Sequence, residues 1–433
     1  MAMTATATGI HATEARSGGM GISTVKENTW AVEGQLPYIY TNPAAIGNFG
    51  PMIFGEYGVF GGAGKGGIIF APVSGFDLGI FVGHAAETAG TNAILANSPV
   101  DPLLLAAPVL SHQNASIMSR FAIGGITFGA GVSFARTSNG TSSKDTNTKV
   151  DVTQSSSTSV IKPVIGFYLD GKIKIDGSIG YRMNFVNNTY NAKNGTTSDT
   201  ATNTYKNNGL GDIVTDVQAI LDLGANLLHI TAGFDYLDRN SQYSTTSTIG
   251  GTTSSSEVNY FNTGYKIKAG ISDELKISND VLAFVGLGFS LTNAKVTTPS
   301  TKTVVGGAAP VTGFQGVFYN NQSNTVLLPL FLGMETNLGE KWLARFGVSA
   351  NLLNINPNST NVSAGVTSTA DTWSNATPTF NGGLSFKAAN LSFDWNLSVS
   401  LLTNGPFFIS GLQNAGGVAS DFAVSYKFGE AKK

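Results

Sequence analysis

Few residues in this chain stand in patterns that do chemistry. The four histidines, His11, His84, His112 and His229, are far apart, there is no cysteine, and no HExxH occurs, so no metal site and no cofactor is expected. The stretch "GVFGGAGKGG" is close to a phosphate-binding loop. However, Val59 stands where the first glycine is required, and Gly66 where Ser or Thr would hold magnesium. No GxSxG occurs, and no acidic pair has a recognisable glycosidase spacing, so the expectation is a protein that is not an enzyme.

What remains is a set of charges spaced by two against apolar neighbours. In "IKIDGSIGYRMNF", Lys174, Asp176 and Arg182 alternate with Ile173, Ile175, Ile179 and Tyr181. Asp235 alternates with Phe234 and Tyr236, Lys266 and Lys268 with Tyr265 and Ile267, and Asp394 with Phe393 and Trp395. Arg345 belongs to the same polar set, as do Asp216, Asp222, Asp421 and Lys427. A period of two means β-strands with one oily and one polar face. Both signs are mixed along the polar face, which favours cross-strand pairs over a selectivity ring.

The links between these segments alternate in length. Short ones, "LDGK", "LGAN", "ISDELKISND", "LGEK" and "KAAN", read as tight turns. Long ones near 137–159, 188–210, 239–256, 293–317, 355–376 and 404–418 are rich in Ser, Thr, Asn and Gly and read as mobile loops. Strict alternation puts all short turns at one end and all long loops at the other, as in a transmembrane β-barrel with its lumen face polar and its outer face apolar. Closure also removes the sheet edges that lipid could not hydrogen-bond.

Twelve segments from residue 120 onward obey the pattern, and the less regular stretch before it supplies two net crossings, for about 14 strands within a range of 12–16. A soluble β-sandwich also alternates, but its exposed face would carry more charge than the 12% present here, and it gives no reason for the alternation of link length. No run of about 20 apolar residues marks a membrane helix. A net charge of −2 without a basic cluster speaks against nucleic acid as a partner. Trp342, Phe167, Tyr168, Tyr190 and Tyr236 lie at segment ends, where barrels carry aromatic girdles.

The first 48 residues lack strand alternation but are apolar in part, with Trp30, Leu36, Tyr38, Ile39 and Tyr40. "ARSGGMG" followed by "TNPAAIGNFG" resembles the N-terminal signature of the FadL-type outer-membrane transporters, and the closing "VSYKF" resembles the aromatic-ended last strand of outer-membrane barrels. The resemblance is specific over the first fifty residues and architectural beyond them. It implies a hatch within the barrel, to which Asn42, Pro43 and Ala44 would belong, and hydrophobic substrates that leave sideways through a wall gap. "KENTWAVEGQLPYIY" and the tail "GEAKK" depart from the family pattern, and no pocket residues can be matched.

The resulting expectation is an all-β, antiparallel transmembrane barrel of the bacterial outer membrane, with a hatch at 1–48, a barrel at 49–428 and a tail at 429–433. Its glycine-rich early region, Gly61, Gly62, Gly64, Gly66 and Gly67, is the candidate wall gap. The expected partners are a hydrophobic small molecule such as a long-chain fatty acid or hydrocarbon, outer-membrane lipid and lipopolysaccharide, and the barrel assembly machinery. A diffusion porin and a structural or secretion-associated barrel are the alternatives. The N-terminus has no basic region followed by an apolar one, so a signal peptide is not expected within this chain.

Overall fold

The computed structural model describes residues 36–58, 64–83, 112–145, 150–194, 200–207, 209–249, 251–297, 301–305, 311–312, 320–363, 366–373, 379–397 and 421–428. The first strands are β1 (Met52–Gly58), β2 (Lys65–Val73), β3 (Phe76–Val82) and β4 (His112–Ile123). They are followed by β5 (Ile126–Asp145), β6 (Val150–Leu169), β7 (Ile173–Asn194), β8 (Thr200–Asn207), β9 (Asp212–Asp222) and β10 (Asn226–Asp238). Then come β11 (Ser241–Ile249), β12 (Thr252–Lys276), β13 (Val281–Thr297), β14 (Thr301–Val305), β15 (Val311–Thr312) and β16 (Asn320–Asn337). The last are β17 (Trp342–Ser363), β18 (Val366–Trp373), β19 (Thr379–Ala388), β20 (Leu391–Leu397) and β21 (Asp421–Lys427).

All ladders are antiparallel, and β21 pairs back onto β1 from Met52↔Lys427 to Gly58↔Asp421. Leaving aside β8, β11, β14, β15 and β18, which extend or flank other strands at the rim, the closed ring has 16 strands. This corrects the count of about 14. Twelve crossings do start after residue 120, but four start before it, because β1 to β4 each cross. β1 and β2 are short and glycine-rich, and the β4–β5 turn, Gly124–Gly125, is flanked by Ile123 and Ile126, so apolar residues run through it and hide the break.

The short turns gather at one end, where Phe428 N–H also donates to Pro51 O at 3.2 Å, joining the two ends of the ring. Glycines at positive φ (Gly75 φ 80, Gly125 φ 86) make the tightest of these turns. Ala389 does the same work at φ 52 without the freedom of a glycine. The link expected over "ISDELKISND" is shorter than its sequence suggests. β12 runs through Lys276, keeping Ser272 and Glu274 buried and Ile271 exposed, so only 277–280 turn.

A larger correction concerns the long links. Much of the Ser/Thr/Asn-rich sequence is strand: β5 and β6 have 20 residues each, β7 has 22 and β12 has 25, where about ten suffice to cross a bilayer. β8 and β11 fill in the same sheet. Ladder bonds satisfy this backbone, and Thr is a good strand former. Apolar alternation is absent there because neither face meets lipid.

Outward positions in the crossing zone are oily, with Ile117, Ile165, Ile179, Ile230, Phe234 and Ile267 all exposed on the outer face. Near the short turns Trp342, Phe386, Phe393, Trp395 and Phe422 form one outward ring cluster across β17, β19, β20 and β21, with centroids 4.9 to 6.4 Å apart. Tyr168 differs from the girdle expected for it, since it shares parity with the buried Val164 and Gly166 and so lies on the inner face.

Candidate functional site: the lumen wall and the segment seated on it

Residues 36–49 form two 3₁₀ turns, Leu36–Tyr40 and Pro43–Asn48. The Asn-Pro step sets their junction. Asn42 takes extended geometry (φ −125, ψ 98), as a residue before proline must, and Pro43 starts the second turn, where its missing N–H costs nothing. The Asn42 side chain caps that turn by accepting from Ala44 N–H at 3.1 Å.

The segment lies against the inner face of β3, β4, β5 and β6. Three inward glycines make its bed. A Cβ on Gly79 of β3 would collide with Ile46, one on Gly129 of β5 with the Pro43–Ala44 backbone, and one on Gly166 of β6 with Asn42 Oδ1. Ile39, Tyr40, Ile46 and Phe49 join Met52, Phe54, Ile69, Phe81 and Met118 in one buried cluster, with Tyr40 edge-on to Phe81 at 5.3 Å. Burying apolar area at about 25 cal/mol per Å² makes this contact the main force holding the segment.

Polar pins fix its position. Asn42 Nδ2 donates to Phe167 O at 3.1 Å and to Asp176 Oδ1 at 3.3 Å, and the Tyr38 hydroxyl donates to the same carboxylate oxygen. Asn42 and Asp176 are 0% and 1% exposed, so bonds to the ionised carboxylate act without competing water. The Arg120 guanidinium, 3.2 Å from Asp77, occupies the space that a side chain at position 47 would need.

The rest of the inner wall is charged. Lys268 Nζ on β12 lies 2.8 Å from Asp216 on β9 and 3.1 Å from Asp235 on β10. Asp212 is shared by Arg182 at 3.6 Å and Arg239 at 2.7 Å. Arg345 on β17, fully buried, donates from Nε to Glu335 at 2.8 Å and from Nη1 to Asp394 at 3.1 Å, and Ser385 Oγ donates to Asp394 as well. His229, also fully buried, accepts from Gln218 Nε2 at 2.6 Å through Nδ1, and its Nε2 lies 3.0 Å from Glu274. Each group joins side chains from different strands, so each crosslinks the wall sideways.

Of the residues singled out in the sequence, Asp176 meets Asn42, while Lys268 meets Asp235, Arg345 meets Asp394, and Arg182 meets a residue not singled out, Asp212. Lys266 sits opposite Asp235 in register, and Lys174 is two positions nearer the turn than Asp176. Asp222 keeps the inner parity of Asp216 and Gln218 at the end of its strand. It is exposed at the β9–β10 turn, where it accepts from Gly224 N–H at 2.8 Å. The side chain of Asp421 is outside the described residues.

Gly66 and Gly67 are paired on both sides, with Gly55 and Phe54 of β1 and with Val82 and Phe81 of β3, so the wall is continuous at these two positions. Gly67 admits the Phe81 and Phe54 rings, and Gly64 immediately precedes β2. Gly61 and Gly62 lie outside the described residues. Sequence reasoning missed Asp212, Arg239, Glu335 and the His229 group. Glu335 follows "VLLPLFLGM", whose run of apolar residues conceals parity, and the β16–β17 ladder shifts register between Leu328 and Pro329.

A closed antiparallel ring with an apolar outside and a charged, self-paired inside is a membrane-spanning β-barrel of the outer-membrane kind. No family model and no curated protein matches the sequence. Among solved structures, the toluene transporter TodX of Pseudomonas putida is similar at 11% identity, over 97% of this chain and 99% of that one, with a TM-score of 0.39. The ferric yersiniabactin uptake receptor FyuA of Yersinia pestis is similar at 7% identity, over 88% and 80%, with a TM-score of 0.32. The translocator domain of the autotransporter NalP from Neisseria meningitidis is similar at 11% identity, over 71% and 90%, with a TM-score of 0.25. Likeness at this level says nothing of cargo, and the assignment of architecture rests on the strand pairing and the distribution of burial.

Proposed function

We propose that this protein is an outer-membrane channel for passive uptake of hydrophobic small molecules, of the FadL type, with residues 1–48 acting as a hatch. The observation that carries the reading is the glycine bed. Gly79, Gly129 and Gly166 leave the wall bare where residues 42–46 lie, and Asp176 pins Asn42 and Tyr38 there. An irregular segment at membrane depth is tolerated only inside protein or a watery lumen. Its apolar underside gives a long-chain fatty acid or a hydrocarbon an oily surface to compete for.

In this reading the ligand displaces part of the segment and leaves through the side of the barrel near β1 to β3. The strands described there are glycine-rich, with Gly55 and Gly58 in β1 and Gly66 and Gly67 in β2. Outer-membrane lipid and lipopolysaccharide would contact the outer face, and the barrel assembly machinery the last strand, β21. The division into hatch, barrel and tail at 48/49 and 428/429 belongs to the same proposal, although Phe49 packs with the segment before it.

The test is single-channel conductance in planar bilayers with residues 1–48 deleted. A marked rise over the intact protein is expected, and an unchanged conductance would remove the hatch. The charged wall from β9 to β20 favours a diffusion porin as the second reading. That reading predicts a large, steady conductance from the intact protein.

A further inference from the structure

On the far side of the ring from β5, the wall has a bare floor that neither the hatch nor the ion pairs use. Gly333 of β16 stands directly opposite Gly347 of β17 on the inner face. Register frames this pair with side chains. Phe284 of β13 lies beside Gly333, and Asn381 of β19 beside Gly347. Phe331 and Ser349 stand one step toward the long loops, and Glu335 and Arg345 one step toward the short turns. All six are buried. A Cβ on Gly286 would come within 1.9 Å of Phe331 Cε1, so that ring turns toward β13 and not over Gly347.

Arg345 sits at the edge of the floor with one nitrogen unused. Its Nε is taken by Glu335 on β16 and its Nη1 by Asp394 on β20, so the wall holds the planar guanidinium on both sides. Nη2 is buried and has no hydrogen-bond partner among the described residues. A buried charged donor left unpaired is costly and calls for an acceptor. Apart from the two carboxylates, the inward neighbours of Arg345 are Leu343, Gly347 and, across the ladder, Gly383, and none offers a side-chain acceptor. The acceptor that fits is therefore not part of this wall.

Its chemistry follows from the frame. Two carboxylates already share one guanidinium, so the group is net negative and turns an anion away. A neutral carbonyl oxygen meets the donor without that penalty, and Phe284 and Phe331 suit a ring attached to it. Glycines let a flat molecule come close to the backbone. The flanking β13 and β19 backbones are about 14 Å apart, three strand spacings, which leaves room for one ring between Phe284 and Asn381.

We infer that the Gly333–Gly347 floor, with Phe284 and Phe331 as its apolar walls and Arg345 Nη2 as its donor, binds a neutral aromatic carbonyl compound. The site is separate from the bed of residues 36–49 and does not depend on a hatch. The test is an NMR titration of acetophenone, isotopically labelled at its carbonyl, with the full-length protein in detergent, against empty micelles of the same detergent. Binding is saturable and moves the carbonyl resonance. α-Methylstyrene, which has the same shape without the oxygen, competes about tenfold more weakly, the order for one hydrogen bond from a charged donor, and benzoate also competes more weakly. Arg345→Lys keeps a cation between Glu335 and Asp394 but removes Nη2, so acetophenone weakens about tenfold while α-methylstyrene stays within about twofold. Gly347→Val fills the floor and abolishes saturable binding of both. Heat-modifiable mobility on gels confirms folding, and if Arg345→Lys does not fold, Gly347→Val and the ligand comparison on the unaltered protein decide. Absence of saturable binding, equal affinity for α-methylstyrene or benzoate, or unchanged affinity in folded Arg345→Lys, which would leave Nη2 holding water alone, overturns the inference.

Discussion

Along β3 to β6 the inward positions include Phe81, Met118, Gly79, Gly129 and Gly166, whereas along β9 to β20 they include Asp216, His229, Lys268, Arg345 and Asp394. The first region has room for another piece of chain and an oily reason to hold it. The second satisfies its charges with its own neighbours across strands. One lumen therefore combines a surface that needs a partner with one that, Nη2 of Arg345 aside, pairs its charges within itself. A ligand that competes with a chain segment for the wall has something to gain only on the first.

The comparison breaks most visibly at Arg345. Arg345→Leu leaves Glu335 and Asp394 buried side by side without their cation, and should cost about 3–5 kcal/mol in urea unfolding of the reconstituted barrel. Replacing all three by apolar residues of similar volume should recover most of that loss, because the group crosslinks without giving much net stability. On the other side, Gly129→Ala drives a Cβ into the Pro43–Ala44 backbone. It should loosen residues 36–49 by about 1–3 kcal/mol, read as faster hydrogen exchange in that segment and a raised conductance, with the barrel's own unfolding little changed.

Asp176→Ala sharpens the contrast further. It removes the acceptor shared by Asn42 and Tyr38 but leaves Asn42 bound to Phe167 O, so about 2 kcal/mol of docking should be lost. Faster exchange at Tyr38 to Ala44 is the signature. The smallest effect lies away from both regions. Ala389→Gly relieves a positive φ in the β19–β20 turn and should stabilise the barrel by about 0.5–1 kcal/mol, visible as a slightly higher urea midpoint.

The wall charges were legible because their outward neighbours are oily. Ile175 and Ile179 around Asp176, and Phe393 and Trp395 around Asp394, leave one choice of face. Where that contrast fails, so does the reading. In β16 the run "VLLPLFLG" is apolar at both parities, and in β6 the run "TQSSSTS" is polar at both, so Glu335 was overlooked and strand was taken for loop. The early strands were undercounted for a related reason, since a glycine turn between two isoleucines has no polar mark. "TNPAAIG" could be read as an irregular packed step because proline forbids a central strand there. Its partners could not, for three isolated glycines on three strands acquire a common purpose only when register aligns them.

The distribution of these contacts along the chain has a consequence for assembly. The bed for residues 36–49 is complete once β6 has formed, and every residue of its apolar cluster lies between Ile39 and Val164. Ring closure instead joins β1 to β21, across nearly the full length of the sequence, through a ladder described over seven residue pairs. Contacts close in sequence form at a lower entropic cost than distant ones. The chain can thus seat its N-terminal segment on an open, curling sheet before the final strand arrives, so the segment need not be threaded into a finished cylinder.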